Sequence, residues 1–400
     1  MSIVSAQSPL TVTSGDEDFR LSVWRAHGAT AQQAAELRAY AASPLQEAPP
    51  QAQHYPLPDA PCVTDWSRYE AEASEAGVLA VLRRVLVQLR FPIAKGMSKH
   101  RGYLAATRRG VLPPEDADAD NRSVSFVQPD GLRIFLVATA AGRVPIIQAT
   151  AREDFDSLVR AVMEKNEPVP IPASMGACLV AGYNNWDRVA SLRRAFEAKH
   201  GPDPDGVGWN AAFQELIPQK DRYQDRFMLV SSGFYSSIAA HTLGLPDEEW
   251  RAASLRIRIA HECTHYVTRQ AFGFMCKCLL DELVADYVGL VTAFGEFRAD
   301  YFLRFMGLEH FPAYRYGGRL EHYRGSPPLS AGAFAILPRV VVRAAHYLQH
   351  DDPSRRMREF GVTQQAQMII AFMRVGLEGL ACDDAGALLA KAIDEATNLT

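Results

Sequence analysis

The chain has 400 residues, of which 48% are hydrophobic and 22% are charged, and its formal net charge is −4. These fractions are close to the average for globular proteins, so the composition argues against wholesale disorder. Acidic and basic residues are mixed along the chain, which leaves no electrostatic footprint for nucleic acid or an anionic membrane. The length exceeds that of most single domains and predicts two packed lobes, or one large domain with extensions.

No stretch of the sequence approaches the roughly 18 consecutive apolar residues that a membrane-spanning helix needs. The N-terminal residues lack the basic region and the long apolar run of a secretory signal. The six cysteines are too sparse for a disulfide framework in a chain of this length, which favours a reducing compartment. We therefore expect a cytoplasmic protein that has neither a nucleic acid nor a membrane among its partners.

Residues 1–60 are rich in Ala, Gln, Ser and Pro, and this composition predicts an N-terminal extension or linker. One short helix is expected within it, at residues 31–42. The pattern then becomes helical, with a wide apolar face over residues 65–91. It predicts one long buried helix, which Pro92 ends because proline cannot continue it.

Residues 61–200 mix strand and helix patterns and predict an α+β N-terminal lobe. The strongest local signal is Asp130-Gly131, which predicts a tight hairpin between strands at 123–128 and 132–138. The run Gly201–Gly208 is rich in Gly, Pro and Asp and predicts a junction between lobes.

Residues 201–300 carry a strand pattern at Arg226–Ser232 and then two helical patterns, and residues 301–400 predict a mostly helical C-terminal lobe. The first of the two helices begins after Pro246, where three acidic residues occupy the first turn. It is expected to run to about Arg269, with Gly273 as its C-terminal cap. The second covers roughly residues 279–297.

The first of these helices contains His261-Glu262-Cys263-Thr264-His265, which is the H-E-x-x-H pattern. Residues four apart on a helix lie on one face, so both imidazoles can reach one metal ion. Glu262 lies about 100° round the helix and borders the open coordination position, where its carboxylate can act as general base toward water. The motif therefore predicts a zinc site with a catalytic base beside it.

The second helix supplies further acidic residues downstream of the motif. Glu282 can complete a His₂Glu site, and Asp286, one turn later, can accept a hydrogen bond from a ligand histidine and fix its tautomer. The metal set predicted from the sequence is therefore His261, His265 and Glu282, supported by Asp286.

Through HECTH and the downstream Glu282-x-x-Ala285-Asp286, the chain resembles the gluzincin peptidases, the thermolysin-like group of zinc metallopeptidases. The resemblance covers roughly residues 226–297. It implies zinc, hydrolysis of a peptide bond, and a zincin-like fold with two lobes, one α+β and one helical. It also implies an edge strand on which a peptide substrate can pair, and Arg226–Ser232 is the expected edge.

Related peptidases stabilise the oxyanion of the reaction with a Tyr, His or Arg supplied downstream. The segment His310–Arg324 concentrates such residues around Gly317-Gly318. We expect Tyr316 and Arg319 to be the catalytic donors, followed by Tyr323 and His322.

The sequence thus predicts a zinc-dependent hydrolase acting on a peptide or amide substrate, most plausibly a metallopeptidase. Two alternatives stay open. One is a zinc amide hydrolase for a small molecule or a modified peptide, which would use the same metal chemistry. The other is a regulatory or interaction protein that keeps the metal for stability and has lost turnover.

Overall fold

The structure is a computed structural model that describes residues 14–42, 54–112, 123–273, 279–356 and 359–398. The chain forms two compact units. One consists of Pro58–Gly233, and the other joins Met1–Leu57 to Phe234–Thr400. The boundaries at Leu57 and Gly233 differ from the boundaries at 60, 200 and 300 that composition predicts, and the Gly201–Gly208 run lies inside the first unit.

The helices are, in chain order, α1 (Ser14–Ala26), α2 (Ala31–Ala41), α3 (Val63–Ala76), α4 (Val78–Val85), α5 (Arg101–Arg109), α6 (Arg152–Val162), α7 (Trp186–His200), α8 (Val207–Leu216), α9 (Asp247–Phe272), α10 (Leu279–Phe294), α11 (Ala299–Met306), α12 (Ala331–Phe334), α13 (Leu337–His350), α14 (Val362–Ala381) and α15 (Ala385–Thr397). Short 3₁₀ turns include Tyr235–Ser237 and Arg319–Tyr323. None of the helices in the described ranges combines the length and apolar character needed to cross a lipid bilayer.

The unit Pro58–Gly233 is built on a four-stranded sheet in the order β1-β2-β4-β3. Its strands are β1 (Leu132–Thr139), β2 (Gly142–Ala149), β3 (Ala177–Asn184) and β4 (Gln224–Ser231). Strand β2 pairs with β1 in antiparallel and with β4 in parallel orientation, so the sheet is mixed. The predicted α+β class is confirmed.

The hairpin predicted at Asp130-Gly131 is wrong. Residues Pro129–Gly131 form a 3₁₀ turn, and the backbone N–H groups of Val127 and Gln128 donate to the carboxylate of Asp154 at 2.6 and 2.9 Å. The preceding segment is therefore bonded to the first turn of α6 and does not form a strand. The hairpin of this region joins β1 to β2 instead, through Ala140-Ala141.

Two further predictions for this unit need correction. The Arg226–Ser232 pattern does form a strand, but β4 lies between β2 and β3 and is not an edge, because both of its sides are paired. The helix predicted over residues 65–91 is divided at Gly77, whose φ of 83° lies outside the range of an α-helix.

The second unit is helical, and its centre is the pair α9 and α10. Three acidic residues in the first turn of α9 complement the helix dipole, and Gly273 caps its end with φ 72°, as predicted. The two helices approach closely at Gly289, where an added Cβ would lie 3.0 Å from the carbonyl oxygen of Ile257. A side chain at this position would push the helices apart, so the glycine sets the spacing on which the site depends.

The helices α1 and α2 belong to this same unit, whereas composition predicts an extension there. The helix predicted at 31–42 is confirmed, and Trp24 and Leu37 are fully buried. The hydroxyl of Tyr40 accepts a hydrogen bond from the N–H of Leu279 at 3.0 Å and donates to the carbonyl of Tyr323 at 2.9 Å. Helix α2 thereby ties the start of α10 to the Arg319–Tyr323 turn.

Candidate metal centre

The two histidines of the motif lie one turn apart on α9 and present the same ring atom to each other. The Nε2 atoms of His261 and His265 are 3.0 Å apart, and their rings are almost perpendicular, at 86°. His261 is 6% exposed and the side chain of His265 is 15% exposed. This face of α9 therefore brings two nitrogen lone pairs together in a partly enclosed place.

Glu282 on α10 supplies the third donor. Its carboxylate oxygens lie 3.5 Å from the Nε2 of His261 and 3.5 Å from the Nε2 of His265. One ligand atom from each of the three residues lies within 4.8 Å of the other two. The structure thus brings together the three residues that the sequence predicts as ligands.

Each histidine has a carboxylate on its other nitrogen. The Nδ1 of His261 lies 2.9 Å from Oδ1 of Asp286, and the Nδ1 of His265 lies 3.0 Å from Oδ2 of Asp281. Both acids are buried, at 0% and 1% exposure. The sequence indicates Asp286 but not Asp281, because an acid in the first turn of a helix is already explained by the helix dipole.

Asp286 is held by two more residues. Its Oδ1 accepts from the hydroxyl of Tyr235 at 2.6 Å, and its Oδ2 accepts from Nη2 of Arg319. The Nη1 of Arg319 donates to the Tyr235 hydroxyl at 2.9 Å. Tyr235 was missed by sequence reasoning, since a single tyrosine after a strand gives no signal. The structure places Arg319 beside these residues, with its donors facing Asp286 and Tyr235 and Nη2 3.7 Å from Oε2 of Glu282.

Burial and charge shift the pKa values of two of these groups in opposite directions. Burial alone would lower the pKa of His265, but the hydrogen bonds to Asp281 and Glu282 raise it well above its usual value. Burial alone would raise the pKa of Glu282, but the His265 hydrogen bond and the neighbouring positive charges lower it below its usual range. These two shifts favour an ionised carboxylate on Glu282 beside a protonated imidazole on His265.

The donor set fits a zinc ion. If both rings are neutral and both Nδ1 atoms donate to carboxylates, the Nε2 lone pairs point toward each other and toward Glu282. Acceptors at such distances repel unless a proton or a metal ion lies between them. Two imidazole nitrogens and one carboxylate, with a position left for water or substrate, form the ligand set of catalytic zinc sites.

Glu262 is half-buried and has no hydrogen bond or ion pair to any other residue in the described part of the chain. Its carboxylate is therefore available for proton transfer, unlike those of Asp281 and Asp286. The adjacent Cys263 is buried, and burial raises the pKa of its thiol to about 12, so it is not a nucleophile.

The other three residues that the sequence favours as oxyanion donors differ from one another in exposure. Tyr316 is 96% exposed, and the structure does not bring it into contact with the ligand residues. His322 is also exposed. Tyr323 is half-buried; burial raises the pKa of its hydroxyl far above the usual value and the negative charge of the nearby Glu282 raises it further, so it stays a proton donor.

The chain belongs to a family described as a family of unknown function, DUF7005, whose model matches residues 22–384. No curated protein and no solved structure matches the chain. The family match includes both α9 and α10 but names no activity.

If Glu282 binds the metal directly, Glu282→Gln weakens zinc retention far more than Asp281→Asn or Asp286→Asn. The loss of a hydrogen-bonding partner behind a ligand histidine typically weakens metal binding by about 10–100-fold, whereas the loss of a ligand removes a bond to the metal itself. Competition with a chelator, measured on the three variants and the wild type, gives the order. Wild-type retention by Glu282→Gln would place the third ligand elsewhere.

Proposed function

We propose that the protein is a zinc-dependent hydrolase of peptide or amide bonds, acting as a metallopeptidase. The observation that carries this proposal is the convergence of His261, His265 and Glu282, with one ligand atom of each within 4.8 Å of the others. The unengaged carboxylate of Glu262, next to a ligand histidine on α9, distinguishes such a site from a purely structural zinc site, which is closed by four protein ligands.

The resemblance to the gluzincins supports the same proposal. HECTH and the downstream Glu282 and Asp286 lie on two adjacent helices, and the second acid hydrogen-bonds to a ligand histidine. We include in the proposal the finer fold assignment, a zincin-like metallopeptidase with two lobes. It is supported by the chain order, in which a mixed sheet precedes the two helices that carry the ligands.

Different residues of the chain would hold the metal, transfer the proton and orient the ligands. His261, His265 and Glu282 would hold the ion, which when bound lowers the pKa of water and polarises a carbonyl. The carboxylate of Glu262 would accept a proton from the attacking water and then deliver it to the leaving nitrogen. Asp281 and Asp286 would keep the two imidazoles oriented through their Nδ1 atoms.

Tyr323 is our assignment for the donor to the oxyanion. The residue is half-buried and its hydroxyl is protonated, and it lies close enough to Glu282 for that carboxylate to raise its pKa, so it would stand beside a ligand before substrate arrives. Arg319 is less suitable, because the bonds from its two Nη atoms to Asp286 and Tyr235 hold its guanidinium behind the ligand histidine. This assignment replaces the pair Tyr316 and Arg319 favoured by the sequence.

Glu262→Gln should retain zinc and fold normally but lose turnover by about 10²–10⁴-fold, because it removes the general base and acid without removing a ligand. The assay starts from mixed peptide libraries read by mass spectrometry, with wild type and variant at matched zinc content. Glu249→Gln is the matched control, since Glu249 is exposed in the first turn of the same helix.

Cleavage by Glu262→Gln at the wild-type rate would remove the mechanism. Zinc-loaded wild type that cleaves no peptide in the library would instead favour an amide hydrolase for small molecules, or a protein that keeps the metal for stability.

Tyr323→Phe should lower kcat by about 10²–10³-fold, the usual effect of removing one oxyanion donor, and change KM much less. Tyr316→Phe, tested in the same assay, examines the donor favoured by the sequence. If Tyr316→Phe loses turnover and Tyr323→Phe does not, the assignment to Tyr323 is wrong.

A further inference from the structure

Beside the Nδ1 of His261 lies a partly buried contact between Tyr235 and Arg319, and Nη2 of Arg319 also lies 3.7 Å from Oε2 of Glu282. Tyr235 is fixed in place by its neighbours: its backbone N–H donates to Oγ of Ser254 at 2.9 Å, and its ring packs edge-on against Phe305 with centroids 5.1 Å apart. Arg319 lies over the same ring, with its guanidinium carbon 5.3 Å from the centroid. Neither residue is needed to hold a metal, so the contact requires another explanation.

The Tyr235 hydroxyl has two acceptors within reach and can satisfy only one. It lies 2.6 Å from Oδ1 of Asp286 and 2.9 Å from Nδ1 of His261. If its proton pointed to Nδ1, the His261 proton would move to Nε2, and the ring could no longer offer Nε2 to a metal. If its proton points to Asp286, the Nδ1 proton of His261 is kept, because Nδ1 also lies 2.9 Å from the same carboxylate oxygen.

Arg319 favours the arrangement in which the Tyr235 proton points to Asp286. One of its nitrogens donates to Asp286 Oδ2, and the other donates to the Tyr235 oxygen at 2.9 Å. The first contact orients the carboxylate with Oδ1 toward the histidine. The second occupies a lone pair of the hydroxyl, whose proton then goes to the nearer and charged acceptor, the carboxylate at 2.6 Å, and not to Nδ1 at 2.9 Å. The Nε of Arg319 has no hydrogen-bond partner among the described residues, so the two Nη atoms carry its polar contacts.

We propose that Arg319 is a positioning residue, which orients Asp286 and the Tyr235 hydroxyl so that His261 keeps its proton on Nδ1 and presents Nε2 to the metal. The proposal rests on the proposed function only in taking His261 as a metal ligand. This role requires the planar guanidinium of arginine, because it holds two N–H donors in a fixed geometry that matches two acceptors. The single ammonium group of lysine cannot reproduce that geometry.

Arg319→Lys tests this role, since it keeps the positive charge and removes the planar pair of donors. We expect about 10–100-fold weaker zinc binding by chelator competition. In the metal-free protein with ¹⁵N-labelled histidine, NMR should show the neutral His261 ring protonated on Nδ1 in the wild type and as a mixture of tautomers in the variant. Tyr235→Phe removes the competing donor, so the double variant should lose less affinity than the two single losses combined.

Arg20→Lys is the matched control. The Arg20 side chain is 19% exposed and pairs with the buried Glu378, much as Arg319 is 18% exposed and pairs with Asp286. Both belong to the same compact unit. Arg20→Lys should leave zinc affinity and the His261 tautomer at wild-type values, while thermal unfolding reports the stability lost in each variant.

Wild-type affinity and tautomer in Arg319→Lys would overturn the proposal, as would an equal loss of affinity in Arg20→Lys. The NMR result does not depend on turnover or on bound metal. A wild type that binds zinc but hydrolyses nothing would therefore refute the proposed function alone, and a wild-type His261 protonated on Nε2 would refute the positioning role alone.

Discussion

The close packing of α9 against α10 is the constraint on which the rest of the site depends. The approach is set at Gly289, where any side chain would meet the backbone of Ile257. It places two histidines of one helix opposite three acids of the other, so that each imidazole has a carboxylate on one nitrogen and the ligand position on the other. Three of the five ionisable groups gathered here are acids, and the guanidinium of Arg319, which pairs with Asp286 and lies 3.7 Å from Glu282, balances part of their charge.

Residues distant in sequence hold this centre together. The Arg319–Tyr323 turn brings one side chain to Asp286 and another to Glu282. The turn is itself fixed by Gly318, because a Cβ added at this position would collide with the carbonyl oxygen of Met306. From α2, Tyr40 joins the turn to the start of α10. The N-terminal helices thus support the site, whereas composition alone suggests a linker.

Local patterns predict α9, which carries the H-E-x-x-H motif, because the acidic first turn, the motif and the glycine cap all lie within one helix. Local patterns do not predict side-chain roles and strand pairings that depend on contacts between distant segments. Asp281 and Tyr235 gain their roles only when α10 and the turn at 235–237 meet α9, and no spacing in the sequence records this. The hairpin at Asp130-Gly131 was wrong for a related reason, since the preceding N–H groups bond to Asp154. Likewise, no strand pattern shows that β4 is paired on both sides.

The most direct test of the account is the metal content of the purified protein, compared between the wild type and His265→Ala. We expect about one zinc per chain in the wild type, held by three protein ligands, and its loss in the variant while the fold is kept, as checked by circular dichroism. A folded His265→Ala protein with the wild-type zinc content, or a wild type that takes up no zinc when it is supplied, would contradict the central claim.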